Sequence, residues 1–308
     1  MNNPLKELIR AVANNDIQKA KSFARIIINA DNTIKNQAYC ASMKRMLDST
    51  SLNLMEVPPN LKGLVLMEDV STSFNEDRYY LSSREKVVFD EIVKMTHVCE
   101  KLQEMNIPYL NSTLLYGPSG TGKTLFGRYV AYKSGLPFVY LNFSHLIDSA
   151  MGGTAKKLSL VFNYVRQVKC VFMLDEVDCI SIRRSEAGHG PDAEMSRITI
   201  ALMQELDTLS NDTILLAATN RYDRIDEALL RRFSIHHKVV PFNNTEKEAM
   251  ITRFLDDVHM EYDISEIKEY CSKNDKTQAI IINDIIRAIA NSLQNGENVV
   301  KFVFKEEK

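Results

Sequence analysis

The chain has 308 residues, 45% of them hydrophobic and 25% charged, with a formal net charge of −2. That length exceeds one mid-sized domain and accommodates two or three units, and the balanced charge excludes a globally basic nucleic-acid binder. The five cysteines form no C-x-x-C pair, the opening MNNPLKELIR has no signal-peptide run and no apolar stretch reaches bilayer length, so the expectation is a reduced, cytoplasmic protein without a membrane span.

Leu5, Leu8, Ile9 and Val12 recur at helical spacing, as do Ile17, Ala20, Phe23, Ala24 and Ile27, and a third helix is predicted after Thr33. Val57-Pro58-Pro59-Asn60 breaks this pattern and closes a helical N-terminal module at residues 1–59. A connecting region extends from there to about residue 111, with one amphipathic helix through Val87, Val88, Ile92, Val93 and Met95. Strands predicted over 113–116, 138–141, 171–174, 214–217 and 235–240 then alternate with helices, which implies an α/β fold: a parallel sheet with helices on both faces, within a unit of residues 60–242. Beyond Pro241 the strands stop. Thr245-Glu246-Lys247-Glu248 has capping-box spacing, and further helices near Ile264 and Ala279 make residues 243–308 a small helical lid and tail, with a terminal strand over 299–304.

The strongest chemical signal is Gly117-Pro118-Ser119-Gly120-Thr121-Gly122-Lys123-Thr124, a complete G-x-x-x-x-G-K-T loop between a predicted strand and a predicted helix. Glycines let the backbone wrap phosphates, so that successive N–H groups and the helix N-terminus face the anion. Pro118 through Leu125 are therefore the expected ATP-binding residues, with Lys123 reaching the β- and γ-phosphates and the Thr124 hydroxyl on Mg2+. The bland alternative, a glycine-rich turn that binds nothing, sits poorly with the strand-loop-helix context. A second signal is Val171-Phe172-Met173-Leu174-Asp175-Glu176, a buried strand with two carboxylates at its C-terminal end, where open parallel sheets bind ligands. Asp175 is placed to hold Mg2+ and Glu176 to act as general base on water; alone, such a pair would read as a solvated strand end.

Together these segments look like a Walker A and Walker B pair, and the segments downstream of them resemble the AAA family of P-loop ATPases. Leu216-Ala217-Ala218-Thr219-Asn220 is similar to the family's sensor strand, which implies that Asn220 helps place the lytic water. Asp226-Glu227-Ala228-Leu229-Leu230-Arg231-Arg232-Phe233 resembles the arginine-finger helix, which implies that Arg231 and Arg232 reach the γ-phosphate of a neighbouring subunit; the plain reading is a solvated basic pair at a helix end. The resemblance covers about residues 110–295. It implies ATP hydrolysis with Mg2+ at the interfaces of a homo-oligomeric ring, a hexamer, acting on a protein partner. The chain also resembles bacterial AAA ATPases paired with a subtilisin-like protease in anti-phage defence. An ATP-dependent switch that regulates an effector, or a nucleic-acid remodeller, are the rival readings; the second needs a basic or stacking pore that the sequence does not display.

Departures from the family pattern bear on these rivals. The frame from Leu146 to Thr154 resembles the first pore loop, but Ala150 and Met151 stand where threading members carry an aromatic and an apolar residue. A methyl group offers little grip, which weakens the expectation of threading, although methionine gives a flexible apolar contact. No arginine stands near Ala279 and Ile280 for a second sensor; Arg287, two turns on, reads as structural. The polar segment 185–194 reads as a second pore-facing loop or a flexible surface connection. None of the six histidines has metal-ligand spacing.

Overall fold

The computed structural model describes residues 3–13, 17–30, 57–107, 109–143, 153–180, 191–209 and 213–302, together with residues 36, 40 and 146. Helices α1 (Asn3–Ala13) and α2 (Ile17–Ala30) pack on each other, with Ala11 and Ala20 buried at the contact. The third helix predicted after Thr33 falls outside the described residues except for Asn36 and Cys40.

Six described strands form the sheet. They are β1 (Val65–Glu68), β2 (Asn111–Tyr116), β3 (Phe138–Asn142), β4 (Val171–Asp175), β5 (Ile214–Thr219) and β6 (Ile235–Lys238), in the spatial order β1-β3-β4-β5-β2-β6. All neighbours run parallel except β1, which pairs antiparallel with β3 through Val65↔Leu141 and Glu68↔Phe138. Periodicity does not reveal β1, because four residues at a sheet edge carry too short a pattern to separate from a loop.

Side chains alternate across the central strands. Val171, Met173, Ile214, Leu216 and Ala218 face a cluster built with Val88 and Ile92 of α3 (Ser83–Glu104) and Phe126, Val130 and Ala131 of α4 (Lys123–Ser134). Phe172, Leu174, Leu215 and Ala217 face the other way, against Leu158 and Phe162 of α5 (Thr154–Val165) and Ile198 and Leu202 of α6 (Pro191–Asp207). Strands buried on both faces are what a parallel sheet with helical crossovers requires. Gly127 allows α4 to sit close on the sheet, since a Cβ there would lie 3.2 Å from Phe138 and 3.3 Å from the Met173 sulfur.

After the short α7 (Glu227–Leu230), the chain forms α8 (Asn244–Asp257), α9 (Ile264–Lys273) and α10 (Gln278–Gln294) around their own core of Met250, Ile251, Leu255, Ile267, Tyr270, Ile281 and Ile285. The capping box is present, but its frame is Asn243 with Glu246, two residues before the frame that the Thr245 spacing suggests. Glu246 also receives two bonds from Arg84 of α3, at 2.7 and 3.0 Å, a tertiary contact that favours this frame. Among the described residues the terminal strand comprises Val299–Val300, which pairs in parallel with Glu261–Tyr262. The segment between β1 and α3 straps these helices to the sheet domain. Arg78 pairs with Asp257, and Arg253 donates to the carbonyls of Asp77 and Glu76 at 2.8 and 3.0 Å. On its other side Glu76 pairs with Lys133, and Tyr79 stacks on Tyr129 of α4 at 4.7 Å.

Candidate nucleotide-binding site

The parallel register brings the C-terminal ends of β2, β4 and β5 level with one another. Tyr116 lies beside Thr219 and Leu174 beside Ala217, so Gly117, Asp175 and Asn220 all emerge at one edge of the sheet. At Gly117 (φ +147°) a Cβ would lie 2.0 Å from the Val239 carbonyl oxygen, so only glycine fits where the loop leaves β2. Gly122 is the left-handed N-cap of α4, and the unsatisfied N–H groups of the helix's first turn open into the loop. Lys123, 7% exposed, donates to the carbonyls of Gly117 (2.9 Å) and Pro118 (2.8 Å) and to Oδ1 of Asn220 (2.8 Å). Burial pulls its ammonium below the ordinary lysine value, while Asp175 and Asp178 act in the opposite direction. An anion in the loop would supply the charge that this cation lacks.

Asp175 is held from three sides. Its Oδ2 accepts from the Thr124 hydroxyl at 2.8 Å and from the Tyr140 phenol at 3.2 Å, and its Oδ1 accepts from the Glu176 N–H at 2.9 Å. Tyr140 is not part of the sequence-derived set. The only sequence signal for it is a polar interruption in the strand Phe138–Asn142, and the β3–β4 register is what sets Tyr140 beside the acid. Burial raises the Tyr140 phenol above its ordinary value, with Asp175 and Glu176 adding to the effect and a hydrogen bond from Asn142 opposing it, so it stays a donor. Glu176 itself has φ 57° and ψ 42°, a left-handed conformation unusual for glutamate that aims its side chain into the cleft beside Asp175. Asp178 accepts from the Thr219 hydroxyl at 2.6 Å, and that oxygen accepts from the Arg221 N–H at 2.9 Å, so the acidic turn and the Asn220 turn are tied together.

Lys123, Thr124, Asp175, Glu176 and Asn220 line one cleft of about 430 Å3. The rest of its lining is mixed: Tyr79 and Tyr80 of the strap, Phe242, Met250 and Ile282 are joined by Arg78, Glu85 and Arg128. The lid closes on the loop directly, through the Ala279 N–H donating to the Gly120 carbonyl at 3.0 Å. The hydroxyl of Thr124 and the carboxylate of Asp175 are hard oxygen donors in contact, a pair that suits Mg2+ bound mainly through phosphates and water.

Residues 113–240, which carry the loop, the acidic strand and the Asn220 turn, match the family model described as "ATPase family associated with various cellular activities (AAA)". Residues 113–240 are an AAA-family ATPase domain. The chain is 30% identical over 246 residues to the 26S proteasome subunit RPT4 of Saccharomyces cerevisiae, covering 74% of this chain and 54% of that protein. It is 29% identical over 257 residues to 26S proteasome regulatory subunit 10B homolog A of Arabidopsis thaliana, covering 80% and 64%. It is 28% identical over 223 residues to the proteasome-activating nucleotidase of Methanococcus maripaludis, covering 70% and 54%. The chain thus spans little more than half to about two thirds of the length of these curated relatives.

Within this AAA domain the cleft gathers Ser119 through Leu125, Asp175, Glu176 and Asn220; Pro118 adjoins it through its carbonyl on Lys123. Arg231 and Arg232 lie outside it, and the two differ sharply. The Arg231 side chain is 80% exposed and its nearest carboxylate among the described residues, Glu227, is 4.0 Å away. Arg232 is only 28% exposed, donates twice to Asp207 at 2.8 Å and once to the Ala228 carbonyl at 2.7 Å. Arg287 is exposed on α10, 4.0 Å from Asp284 and away from the cleft. Ala150, Met151 and residues 181–190 lie outside the described residues.

Proposed function

We propose that the protein binds ATP with Mg2+ in this cleft and hydrolyses it to ADP and phosphate at the interfaces of a homo-oligomeric ring, a hexamer, coupling the cycle to remodelling of a protein partner. The observation that carries the proposal is the convergence of Lys123, Thr124, Asp175, Glu176 and Asn220 on one cleft, with an exposed Arg231 elsewhere on the same domain. Backbone N–H groups of Gly120 to Leu125 cradle the phosphates, and Lys123 exchanges its carbonyl contacts for phosphate oxygens. Thr124 and Asp175 would hold Mg2+, whose charge offsets that developing on the phosphates. Glu176 takes a proton from the water that attacks the γ-phosphorus, Asn220 orients that water, and ADP leaves. Arg231 of a neighbouring subunit supplies positive charge to the transition state, and Arg232 holds the helix that presents it.

The relatives are named as proteasome subunits and a proteasome-activating nucleotidase, which supports a protein as the partner. Ala150 at the pore position favours a second reading, an ATP-dependent switch that regulates one effector without threading it. No helix among the described residues is long and apolar enough to cross a membrane, and the formal charge of −2 gives no support to a nucleic-acid substrate; a cytoplasmic location is part of the proposal. So are the units 1–59, 60–242 and 243–308, the last supported by its separate core. The test is Glu176→Gln: this variant is expected to keep ATP bound and release no phosphate, because an amide cannot accept the water's proton. Normal phosphate release by Glu176→Gln, or no ATP bound by the unaltered protein, would overturn the assignment.

A further inference from the structure

One hydroxyl meets the acidic strand end from inside the fold, and no step of the hydrolysis uses it. Tyr140 lies in the middle of β3, level with Leu66 of β1 on one side and Met173 of β4 on the other. Its ring packs against the cluster between the sheet and α4, 6.3 Å from the Phe138 ring, and the residue is not among those lining the cleft. The phenol reaches Oδ2 of Asp175, two residues beyond Met173, at 3.2 Å, and the Asn142 side-chain amide donates to the phenol oxygen at 3.3 Å. These two neighbours fix the direction of the bond. A carboxylate accepts and an amide N–H donates, so the phenol gives its proton to Asp175 and takes the amide's on its lone pair.

Asp175 is the last residue of β4, half-buried, and its side chain has two rotatable bonds to be fixed. Three donors hold it in one pose: Thr124 and Tyr140 on Oδ2, and the Glu176 N–H on Oδ1. Of the two hydroxyls, that of Thr124 lines the cleft and is itself called to the cation, whereas that of Tyr140 is free to do nothing but hold the acid. Groups that bond a metal ligand from outside the coordination sphere set its direction, and losing one commonly costs about 10- to 100-fold in metal affinity. A donor also draws charge from the carboxylate, which acts the other way. At 3.2 Å the bond is long for a hydroxyl, so the charge drawn off is small, while a freed carboxylate regains its rotamers; orientation is the larger effect. We infer that Tyr140 is a positioning residue for Mg2+: it holds the Asp175 carboxylate in the pose that meets Thr124, so that both oxygens are in place before the cation arrives with the nucleotide. This rests on the reading of the cleft as a Mg2+–nucleotide site and adds to it a residue that touches neither nucleotide nor metal.

Tyr140→Phe keeps the ring and removes only the donor. Binding of the non-hydrolysable β,γ-imido analogue of ATP to the full chain would be measured by calorimetry, with saturating Mg2+ and again in excess EDTA, for the unaltered protein, Tyr140→Phe and Asp175→Asn. The unaltered protein is expected to bind the analogue more tightly with Mg2+, and Asp175→Asn should lose most of that tightening. Tyr140→Phe should keep the affinity in EDTA to within about 2-fold and cut the tightening by about 10-fold, toward the Asp175→Asn level. The free Mg2+ that gives half-maximal phosphate release should rise by a similar factor. Undiminished tightening in Tyr140→Phe overturns the inference, and so does a greater one, which would mean that the phenol weakens the carboxylate rather than aims it. An equal loss with Mg2+ and with EDTA also overturns it, because Tyr140 would then support the phosphate loop and not the metal. If Mg2+ gives the unaltered protein no tightening, or Asp175→Asn keeps it in full, the assignment of Mg2+ to Asp175 falls and the inference with it.

Discussion

Replacing Arg231 and Arg232 one at a time by alanine separates two roles that adjacent identical residues would otherwise share. Arg231 is 80% exposed and its one near carboxylate among the described residues, Glu227, is equally exposed at 4.0 Å, a pair worth close to nothing in water. Its removal should change folding stability by less than about 0.5 kcal/mol. If it is the finger, turnover should fall by about 10³ with ATP affinity retained. Arg232 is another matter. Deleting it removes a two-pronged pair with Asp207 at 2.8 Å and a cap on the Ala228 carbonyl at 2.7 Å, while Asp207, 53% exposed, can rehydrate. The loss should be about 1–2 kcal/mol, readable as a shift in denaturant midpoint, with a fall in turnover caused by a displaced α7. The assay is phosphate release from each variant alone and from mixtures with Lys123→Ala. An Arg231→Ala subunit keeps a sound phosphate loop and a Lys123→Ala subunit keeps a sound finger, so mixed assemblies should regain activity. Wild-type turnover by Arg231→Ala, or no recovery in assemblies shown to be mixed, refutes the reasoning. Unchanged stability of Arg232→Ala refutes the supporting role given to the Asp207 pair.

Lys123→Ala should abolish ATP binding, and unchanged affinity in calorimetry would contradict the phosphate-loop assignment. Gly117→Ala forces a Cβ to 2.0 Å from the Val239 carbonyl, just past β6 and held by the Val239 N–H on the Tyr116 carbonyl at 2.8 Å, and should cost about 3 kcal/mol along with nucleotide binding; near-normal stability would show that the loop yields. Glu85, buried at 5% exposure, has its carboxyl raised above the ordinary value of 4.5 by desolvation, with Ser82 hydrogen bonds opposing. The folded state therefore holds this proton more tightly than the unfolded chain, so the contribution is favourable at low pH and fades as pH rises from 4.5. Stability relative to Glu85→Gln should fall across that window, and a difference independent of pH would contradict it. Ala150→Tyr should raise unfolding of a tagged reporter if residue 150 faces a threading pore; activation of one partner by ATP with no unfolding would favour the switch.

Features fixed within a few residues were legible in the chain alone. The loop from Gly117 to Thr124 needs its glycines for local backbone reasons, and the apolar run ending in Asp175 and Glu176 states a buried strand and its open end. The alternation of five strands with helices stated the layered α/β class for the same reason, since burial periodicity is local. Even here a near-tie was decided elsewhere: Asn243 and Thr245 both offer a capping frame, and Arg84 on a distant helix grips the glutamate of the first. Which residues meet across the fold was settled by packing. Strand register put Tyr140 on Asp175, the strap brought Tyr79 and Tyr80 into the cleft lining, and the docking of α10 brought Gln278 there. Arg231 and Arg232 read alike in sequence, and it is Asp207, on a helix packed beside them, that binds one and leaves the other to solvent. Such pairings depend on how distant elements are packed, which no spacing along the chain records.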